Sequence, residues 1–292
     1  MHAFTIKDLE NLSGIKAHTI RIWEQRYSFL NPSRTDTNIR YYSSEELKMI
    51  LNIALLNKYG YKISHINRMS ALELKEKILL LSNSAAQQER AINEMIHYMV
   101  DLNIESFEII LDDHIKTKGI EKSITQIIFP FLERIGILWM TNHVNPAQEH
   151  LVTNIIRQKI ILGIETAKTY IEADKIIILF LPEGEHHELG ILFMYYLLKS
   201  RGIKVIYLGA NVPVSDLEYV TKIKHPHSLY THLTSVANNF NFEKFLFNLN
   251  ASVPDLPIIV SGHLTQSYKK RVPANINFKY ALSEVMEYIA TL

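Results

Sequence analysis

The sequence of 292 residues contains no cysteine, which excludes disulfide bonds, thiolate metal sites and cysteine nucleophiles. It has no uninterrupted apolar run of about 18 residues, the length that a membrane-spanning helix needs, and no signal-peptide pattern at its start. Neither a Gly-x-Gly-x-x-Gly motif nor a Walker loop supports a phosphate-binding nucleotide site. No nucleophile–base arrangement typical of a hydrolase stands out. We therefore expect a cytoplasmic protein that is not an enzyme.

Positive charge is concentrated near the N-terminus. Residues 1–68 contain ten Lys and Arg against six Asp and Glu, whereas the remainder carries a net charge of −3. A basic segment followed by a slightly acidic body is compatible with a small nucleic-acid-binding module. An excess of this size also arises often by chance, so charge alone does not identify the module.

The hydrophobic pattern predicts a multidomain fold with three parts. Residues 1–75 are predicted to form an all-α winged helix-turn-helix, and residues 85–172 a four-helix bundle. Residues 173–292 are predicted to form an α/β doubly wound, Rossmann-like parallel sheet. Residues 64–81, with two short helical pieces, are the predicted linker between the first two parts.

The N-terminal module begins with two short predicted helices, 4–12 and 17–25, joined by a tight turn that contains Gly14. This outline is that of a helix-turn-helix. A short two-stranded wing follows, and Ser43 with Glu46 forms a capping box for the next helix. Because Arg and His side chains suit phosphates and base edges, the candidate DNA-binding residues are His18, Thr19, Arg21, Arg26, Arg34, Arg40 and Tyr41.

One spacing stands out in the predicted bundle. Trp139 ends its third helix, predicted at 120–140, and Glu149-His150 begins its fourth, predicted at 146–170. The indole could stack on a flat ligand while the carboxylate accepts hydrogen bonds from hydroxyl groups. A core Trp beside a Glu that complements the helix dipole explains the same pattern, so the spacing alone leaves both interpretations open.

The α/β domain is organised around residues 175–211, which predict a strand at 176–181, a helix at 189–200 and a strand at 204–208. Such a unit implies a parallel sheet with a right-handed crossover. The predicted strands that follow lie at 228–233, 258–260 and 278–281, and the predicted helices lie at 215–223, 242–249 and 284–292.

Glu185, His187 and Gly190 follow the first strand of this sheet, at the edge where ligands bind in such folds. A neutral imidazole is a good single ligand for a soft or borderline metal. A carboxylate two residues earlier can accept the other ring N–H and so fix the tautomer. A lone exposed His usually has no such role, so this pattern remains a hypothesis.

The N-terminal module closely resembles the winged-helix domain of MerR-type transcription regulators. The resemblance rests on the Trp-Glu-x-Arg-Tyr run from Trp23 to Tyr27 and on Arg40-x-Tyr42 in the wing. One departure is Asn38, which stands where a wing glycine is common. Asn tolerates a left-handed backbone better than most residues, so the turn is expected to survive.

The C-terminal motifs resemble those of the CarH/LitR-type members of this family. Glu185-x-His187-x-x-Gly190 is similar to the Asp-x-His-x-x-Gly signature of cobalamin-binding domains, and Trp139 with Glu149-His150 matches the Trp-x9-Glu-His signature of the covering bundle. The resemblance implies that adenosylcobalamin is held between the bundle and the α/β domain, with His187 as the metal ligand on cobalt. The cofactor-binding residues that it implies are Trp139, Glu149, His150, Glu185, His187, Gly190, Thr231, Leu233, Ser261 and Gly262.

The resemblance also implies partners and a switch. Adenosylcobalamin promotes a DNA-binding tetramer in that family, and light breaks the cobalt–carbon bond and releases the promoter. The implied partners here are double-stranded promoter DNA, a second copy of the chain in a homodimer or homotetramer, and RNA polymerase, without a membrane.

Three departures bear on the switch. Met140 replaces a His that caps cobalt after photolysis, so a light response is in question. Thr231-His232-Leu233 replaces a Ser-x-Leu motif, and Ser261-Gly262-His263 replaces a Gly-Gly pair and can crowd the nucleotide tail. Two alternatives therefore stay open. One is a regulator with a cofactor-free sensor domain; the other is a corrinoid carrier for methyltransferases, a class that lacks a winged helix.

Overall fold

The structure is a computed structural model. It divides into two compact units, Met1–Ile155 and Ile156–Leu292. Within the part of the chain that is described, no helix has the length and apolarity to cross a lipid bilayer. The domain limits proposed from the sequence stay a prediction. The residues that the structure describes are 4–140, 144–169, 173–235 and 240–292, with the backbone alone for 137–140.

The first unit is mainly helical, with a two-stranded wing. Its elements are α1 (Ile6–Ser13), α2 (Ala17–Arg26), β1 (Ser33–Arg34), β2 (Arg40–Tyr41), α3 (Ser44–Lys58), α4 (Ile63–Ile66), α5 (Ala71–Leu79), α6 (Ser84–Val100), α7 (Ile104–Lys118), α8 (Ile120–Ser123), α9 (Phe129–Met140) and the first part of α10 (Pro146–Thr166).

Local sequence signals set the ends of the first helices and the wing. Thr5 and Asp8 form a capping box at the start of α1, and Gly14 ends it with a φ of 73°. The predicted capping box of Ser43 is present at the start of α3. Strands β1 and β2 pair antiparallel, and Asn38 takes the left-handed backbone with a φ of 64°. The predicted helix pair, wing and wing turn are therefore confirmed.

The helical segment departs from the prediction in one place. A continuous third helix was predicted for 120–140, but a π-helical turn, Ile124–Ile128, separates α8 from α9. The N–H of Phe129 donates to the carbonyl of Ile124, five residues back. Pro130 follows directly and has no N–H to continue the regular pattern, so the extra residue is accommodated before it.

The second unit contains a five-stranded parallel sheet. Its elements are β3 (Ile176–Pro182), α11 (Leu189–Lys199), β4 (Lys204–Val212), α12 (Val214–Lys224), β5 (Ser228–His232), α13 (Phe242–Ser252), β6 (Ile258–Ser261), α14 (His263–Ser267), β7 (Ile276–Lys279) and α15 (Leu282–Ala290).

The strand order is β4-β3-β5-β6-β7, and each pair of neighbours is parallel. This order is that of a doubly wound sheet whose winding reverses between β3 and β5. Residues of α12 and α13 join the core on one face, together with Phe180, Leu229 and Leu233. The predicted fold class is confirmed.

The C-terminal elements of the second unit differ from the prediction in three respects. The last strand was predicted at 278–281 but begins at Ile276, which is buried and pairs in register with Ile258. The last helix was predicted at 284–292 but begins at Leu282. The side chain of Glu284, in its first turn, accepts a hydrogen bond from the N–H of Tyr280 just before the helix. The short helix α14 was not predicted, since five residues are too few to show a helical period.

A half-buried arginine links the winged helix to the helices that follow it. Arg134 of α9 donates from Nη1 to Oδ1 of Asn93 at 2.7 Å and from Nη2 to the carbonyl of Leu12 at 2.5 Å. Leu12 lies in the last turn of α1, where a cation also complements the helix dipole. Asn93 in α6 donates in turn to the carbonyl of Leu51 in α3. One polar network therefore connects four helices of the first unit.

We expect Arg134→Met to destabilise the first unit by about 2–4 kcal/mol, since it leaves buried acceptors without donors. Both tryptophans, Trp23 and Trp139, lie in this unit, so their fluorescence during urea unfolding reports its stability. The matched control is Arg90→Met in α6, because Arg90 forms a long ion pair of 3.9 Å with Glu94; it should cost about 0.5 kcal/mol or less. Equal effects of the two variants would contradict a structural role for the network.

Candidate functional site

The loop after β3 lies at the carboxyl edge of the sheet, beside the end of β5. Ligands of open α/β sheets bind where the winding reverses, which is this position. Glu185 and His187 lie on the loop, and Gly190 lies in the first turn of α11. The structure therefore brings these three predicted residues to the favoured edge of the sheet.

Glu185 is fully buried and holds this edge together. Its Oε1 accepts hydrogen bonds from the backbone N–H groups of His186 and His187, both at 2.9 Å. Its Oε2 accepts from the N–H groups of Thr234 and Ser235, at 2.8 and 2.9 Å, in the loop after β5. Burial raises the pKa of Glu185, but hydrogen bonds from His187 and these backbone groups outweigh it and lower the pKa overall. The carboxylate is therefore ionised at neutral pH.

The carboxylate of Glu185 determines which ring nitrogen of His187 carries the proton. Its Nδ1 lies 2.7 Å from Oε1 of Glu185, while 58% of its side chain is exposed. An ionised carboxylate can only accept a hydrogen bond, so Nδ1 carries the proton. In the neutral imidazole, Nε2 then holds the lone pair that a metal needs. This geometry gives His187 the properties predicted for a single metal ligand.

A second carboxylate is anchored beside His187. Oε2 of Glu188 lies 3.0 Å from both Nε and Nη2 of Arg157 in α10. Its Oε1 accepts from the hydroxyl of Tyr207 in β4 at 2.6 Å. Burial and this carboxylate raise the pKa of Tyr207, so the phenol remains a donor. The sequence did not reveal Arg157 and Tyr207, because they lie 31 and 19 residues from Glu188.

Gly190 lies in close contact with the side chain of His232. A Cβ built on Gly190 would lie 2.4 Å from Cδ2 of His232. Nδ1 of His232 lies 2.8 Å from Oγ of Ser261, which is 2.7 Å from the hydroxyl of Tyr230. Burial lowers the pKa of His232 to about 4, so the ring is neutral at neutral pH. The space beside Gly190 is therefore filled by a neutral, hydrogen-bonded imidazole.

The residues at the end of β5 are divided between the two faces of the sheet, and the predicted pair, Thr231 and Leu233, shares one face. Alternate side chains of a strand point to opposite faces. Leu233 packs in the core with Leu229 on the α12–α13 face, and Thr231 has the same parity. Tyr230 and His232 have the opposite parity and lie on the face of Gly190, which sequence reasoning missed. Oγ1 of Thr231 is buried and has no hydrogen-bond partner among the described residues; nothing in the structure explains this.

Gly262 serves the packing of the sheet edge. Its φ is 102°, and a Cβ at this position would lie 2.3 Å from the carbonyl oxygen of Leu233. The N–H of Leu233 also donates to the carbonyl of Ser261 at 2.9 Å. Only glycine allows the ends of β5 and β6 to approach this closely.

Of the predicted motif formed by Trp139, Glu149 and His150, the structure describes the side chains of Glu149 and His150. Glu149 and His150 lie in the first turns of α10, with Nδ1 of His150 3.0 Å from Oε2 of Glu149. The side chain of His150 is largely exposed. The side chains of Trp139 and Met140 lie outside the described part of the chain, so the predicted grouping of Trp139 with this pair stays a prediction.

The predicted DNA-binding residues follow the surface of α2 and the wing. His18, Arg21 and Arg26 are exposed on α2, whereas Thr19 and Tyr41 are half-buried. Arg34 is exposed on β1, and its Nη1 donates to Oδ1 of Asn38 at 2.7 Å. Cations therefore line one helix and the adjacent wing, as phosphate binding requires.

Arg40 has a structural contact that the sequence did not reveal. Its Nε donates to Oε2 of Glu24 in α2 at 2.9 Å, and the side chain of Glu24 is only 8% exposed. The hydroxyl of Tyr42 donates to the other oxygen of the same carboxylate. Glu24 therefore fixes the wing against α2, and replacing Arg40 would disturb the fold as well as any DNA contact.

Comparison with known proteins agrees with this architecture. A family model described as "MerR HTH family regulatory protein" matches residues 4–72, and one described as "B12 binding domain" matches residues 91–162. The HTH-type transcriptional repressor CarH of Myxococcus xanthus is 26% identical over 279 residues, covering 91% of each chain. The repressor CarA of the same organism is 25% identical over 270 residues, covering 91% of this chain and 89% of CarA.

The chain is a homologue of the CarH and CarA repressors. It carries a MerR helix-turn-helix and a B12-binding domain, and the match to CarH extends over 91% of its length. These relatives are transcriptional repressors and not enzymes, in agreement with the prediction. The B12-binding match supports cobalamin binding and covers the helices from α6 to α10.

Among solved structures, the monomethylamine corrinoid protein of Methanosarcina barkeri is similar to the present chain, with a TM-score of 0.55. The two are 12% identical, and the match covers 70% of this chain and 100% of the other. At this identity the likeness supports the fold alone, a helical region followed by the parallel sheet.

We expect Glu185→Gln to loosen the loops after β3 and β5. An amide replaces one acceptor oxygen by a donor, so backbone N–H groups lose charge-assisted partners, at a cost of about 2 kcal/mol. Hydrogen exchange at the N–H groups of Thr234 and Ser235 should accelerate by roughly 30-fold. The control is Glu183→Gln, an exposed residue two positions earlier, and unchanged exchange in the Glu185 variant would contradict the assigned role.

Proposed function

We propose that this chain is a DNA-binding transcription regulator gated by a corrinoid, adenosylcobalamin, with His187 as the protein ligand of cobalt. The observation that carries the proposal is the contact of His187 Nδ1 with the buried Glu185 carboxylate, which places the imidazole lone pair on Nε2. It supports a corrinoid because the chain is homologous to two repressors and contains a B12-binding domain.

The residues at the sheet edge fit a corrinoid on the side of the metal ligand. The donor set is one imidazole with its tautomer fixed by a carboxylate, and it would supply a single nitrogen ligand to cobalt. When bound, adenosylcobalamin supplies a cobalt–carbon bond whose presence or loss is the signal. Glu185 holds the proton on Nδ1 of His187, and Glu188, anchored by Arg157 and Tyr207, fixes the other end of the loop.

One observation favours a second candidate, a regulator of the same architecture whose sensor domain binds no cofactor. His232 fills the space beside Gly190 and is hydrogen-bonded to Ser261. A ligand that needs this space must displace the ring. The third candidate, a corrinoid carrier, is disfavoured by the MerR match over residues 4–72.

The proposal extends to partners and location. Double-stranded promoter DNA is the partner expected of a MerR helix-turn-helix. Action as a homodimer or homotetramer, contact with RNA polymerase and a cytoplasmic location belong to the proposal and need their own tests. A light response belongs to it as well.

The cofactor is tested by mixing the full chain with adenosylcobalamin in the dark, desalting it and recording its absorbance spectrum. We expect retained colour with the spectrum of imidazole-ligated cobalt. His187→Ala should lose that spectrum, because alanine has no lone pair to offer. His186→Ala is the matched control, since this adjacent histidine is also exposed and its side chain has no comparable carboxylate contact in the described structure.

The outcomes separate the candidates. Colourless wild-type protein after desalting would favour the cofactor-free sensor. An unchanged spectrum in His187→Ala would overturn the assignment of the ligand. Recording the spectrum and the molecular size again after green light tests the light response: a spectral change with a shift in size supports it, and stable values of both contradict it.

DNA binding is tested with Arg21→Ala, because Arg21 is exposed on α2 and, within the described part of the chain, shows no ion pair like that of Arg40 with Glu24. We expect weaker binding to a mixed-sequence duplex and a shallower dependence on salt, by about one counterion for each lost phosphate contact. Arg68→Ala, an exposed arginine of the linker, is the control. Identical affinity and salt slope in the two variants would contradict the placement of DNA on α2.

A further inference from the structure

Three side chains outside the candidate corrinoid site meet in the first unit. Glu45 lies in the first turn of α3, His97 in the last turn of α6, and Asp101 directly after α6. One ligand atom from each lies within 4.8 Å of those of the other two. Glu45 and Asp101 are exposed, whereas His97 is buried. A donor set from two helices therefore converges on one point at the surface.

The buried histidine is the informative member of this cluster. Only 6% of His97 is exposed, and its Nδ1 has no hydrogen-bond partner among the described residues. Oδ2 of Asp101 lies 3.4 Å from Nδ1, but the two atoms do not meet the geometry of a hydrogen bond. Buried polar atoms are normally satisfied, and one that is not requires an explanation such as an ion. Nδ1 of His97 lies near Asp101, and one ring nitrogen of His97 lies within 4.8 Å of a carboxylate oxygen of both Glu45 and Asp101. These carboxylates are the groups that would share an ion with the imidazole.

The surroundings determine the protonation state of His97. Burial lowers its pKa, and the nearby Lys48 lowers it further, while the carboxylates of Asp101 and Glu45 raise it. The imidazole is therefore neutral at neutral pH, which is the form that binds metals. Beside it lies a cavity of about 380 Å³, lined by residues of α3, α5 and α6 that include Glu94 and Lys75. This cavity offers an entry path and room for water ligands.

We propose that Glu45, His97 and Asp101 bind a divalent transition metal ion, for which Zn²⁺ is the natural probe. One imidazole nitrogen and two carboxylate oxygens are a common ligand set for Zn²⁺, with the fourth position open to water. The simpler alternative is an ion pair of His97 with Asp101, four residues apart on one helix, to which Glu45 contributes nothing. The role of Glu45 therefore distinguishes the two explanations.

A metal at this point would connect the DNA-binding module to the helical segment. Glu45 belongs to α3, which follows the wing, whereas His97 belongs to α6, against which α3 packs, and Asp101 follows α6 directly. An ion that binds only when both helices are in place stabilises the folded first unit by mass action. The proposal thus gives the regulator a second input, independent of His187.

The experiment uses the full chain, freed of metal with a chelator and titrated with Zn²⁺ in competition with a chromophoric indicator. The decisive variant is Glu45→Gln, because Glu45 is exposed and its loss leaves the fold intact. Its control is Glu105→Gln: Glu105 is also exposed and lies at the second position of a helix of 15 residues, like Glu45. His187→Ala serves as a second control, and His97→Ala and Asp101→Asn complete the set.

We expect wild-type protein and both controls to bind about one more equivalent of Zn²⁺ than Glu45→Gln, His97→Ala or Asp101→Asn. Zn²⁺ should also raise the urea midpoint followed by tryptophan fluorescence in the wild type but not in Glu45→Gln. Equal binding by Glu45→Gln and the wild type would overturn the proposal, as would an absence of Zn²⁺ binding. Loss of the same equivalent in His187→Ala would also overturn it, because the ion would then lie at the sheet edge.

Discussion

The edge of the sheet depends on one buried carboxylate. Burying a charge is costly unless hydrogen bonds replace its hydration, and Glu185 is satisfied by four backbone N–H groups and one imidazole. The same contacts tie the loops after β3 and β5 across the point where the sheet reverses its winding. They also decide which nitrogen of His187 keeps its proton. Stability of the edge and the tautomer of His187 are therefore consequences of a single interaction.

The first unit is also held together by charged side chains that have several hydrogen-bond partners. Arg134 satisfies the carbonyl of Leu12 at the end of α1 and the side chain of Asn93 in α6, and Glu24 holds the wing through Arg40. Buried charges with several partners are costly to disrupt, because each break leaves an unpaired group. The surface formed by α2 and the wing is therefore carried by a rigid helical body, within which a change at one helix can shift the others.

The sequence was sufficient where the governing interaction is local. The capping box of Ser43, the left-handed Asn38 and the pairing of Glu185 with His187 all involve residues a few positions apart, and each was predicted. It failed where partners are distant or where one residue of register matters. The contact of Arg40 with Glu24 spans 16 residues, and the contact of Gly190 with His232 joins two elements. Strand parity also places Tyr230 and His232, which were not predicted, on the face of Gly190, while the assignment of Thr231 to the site stays a prediction.

The close contact of Gly190 with His232 limits the rate at which a ligand can reach the space beside Gly190. A ligand atom can reach Gly190 only after the ring has left, and the departing ring gives up its hydrogen bond to Ser261. Opening is then a separate step that precedes contact, since both cannot occupy the space together. The observed association rate of such a ligand would level off as its concentration rises, at the rate at which His232 opens. The residues at positions 190 and 232 also depend on each other sterically. A side chain at position 190 requires a residue smaller than His at position 232.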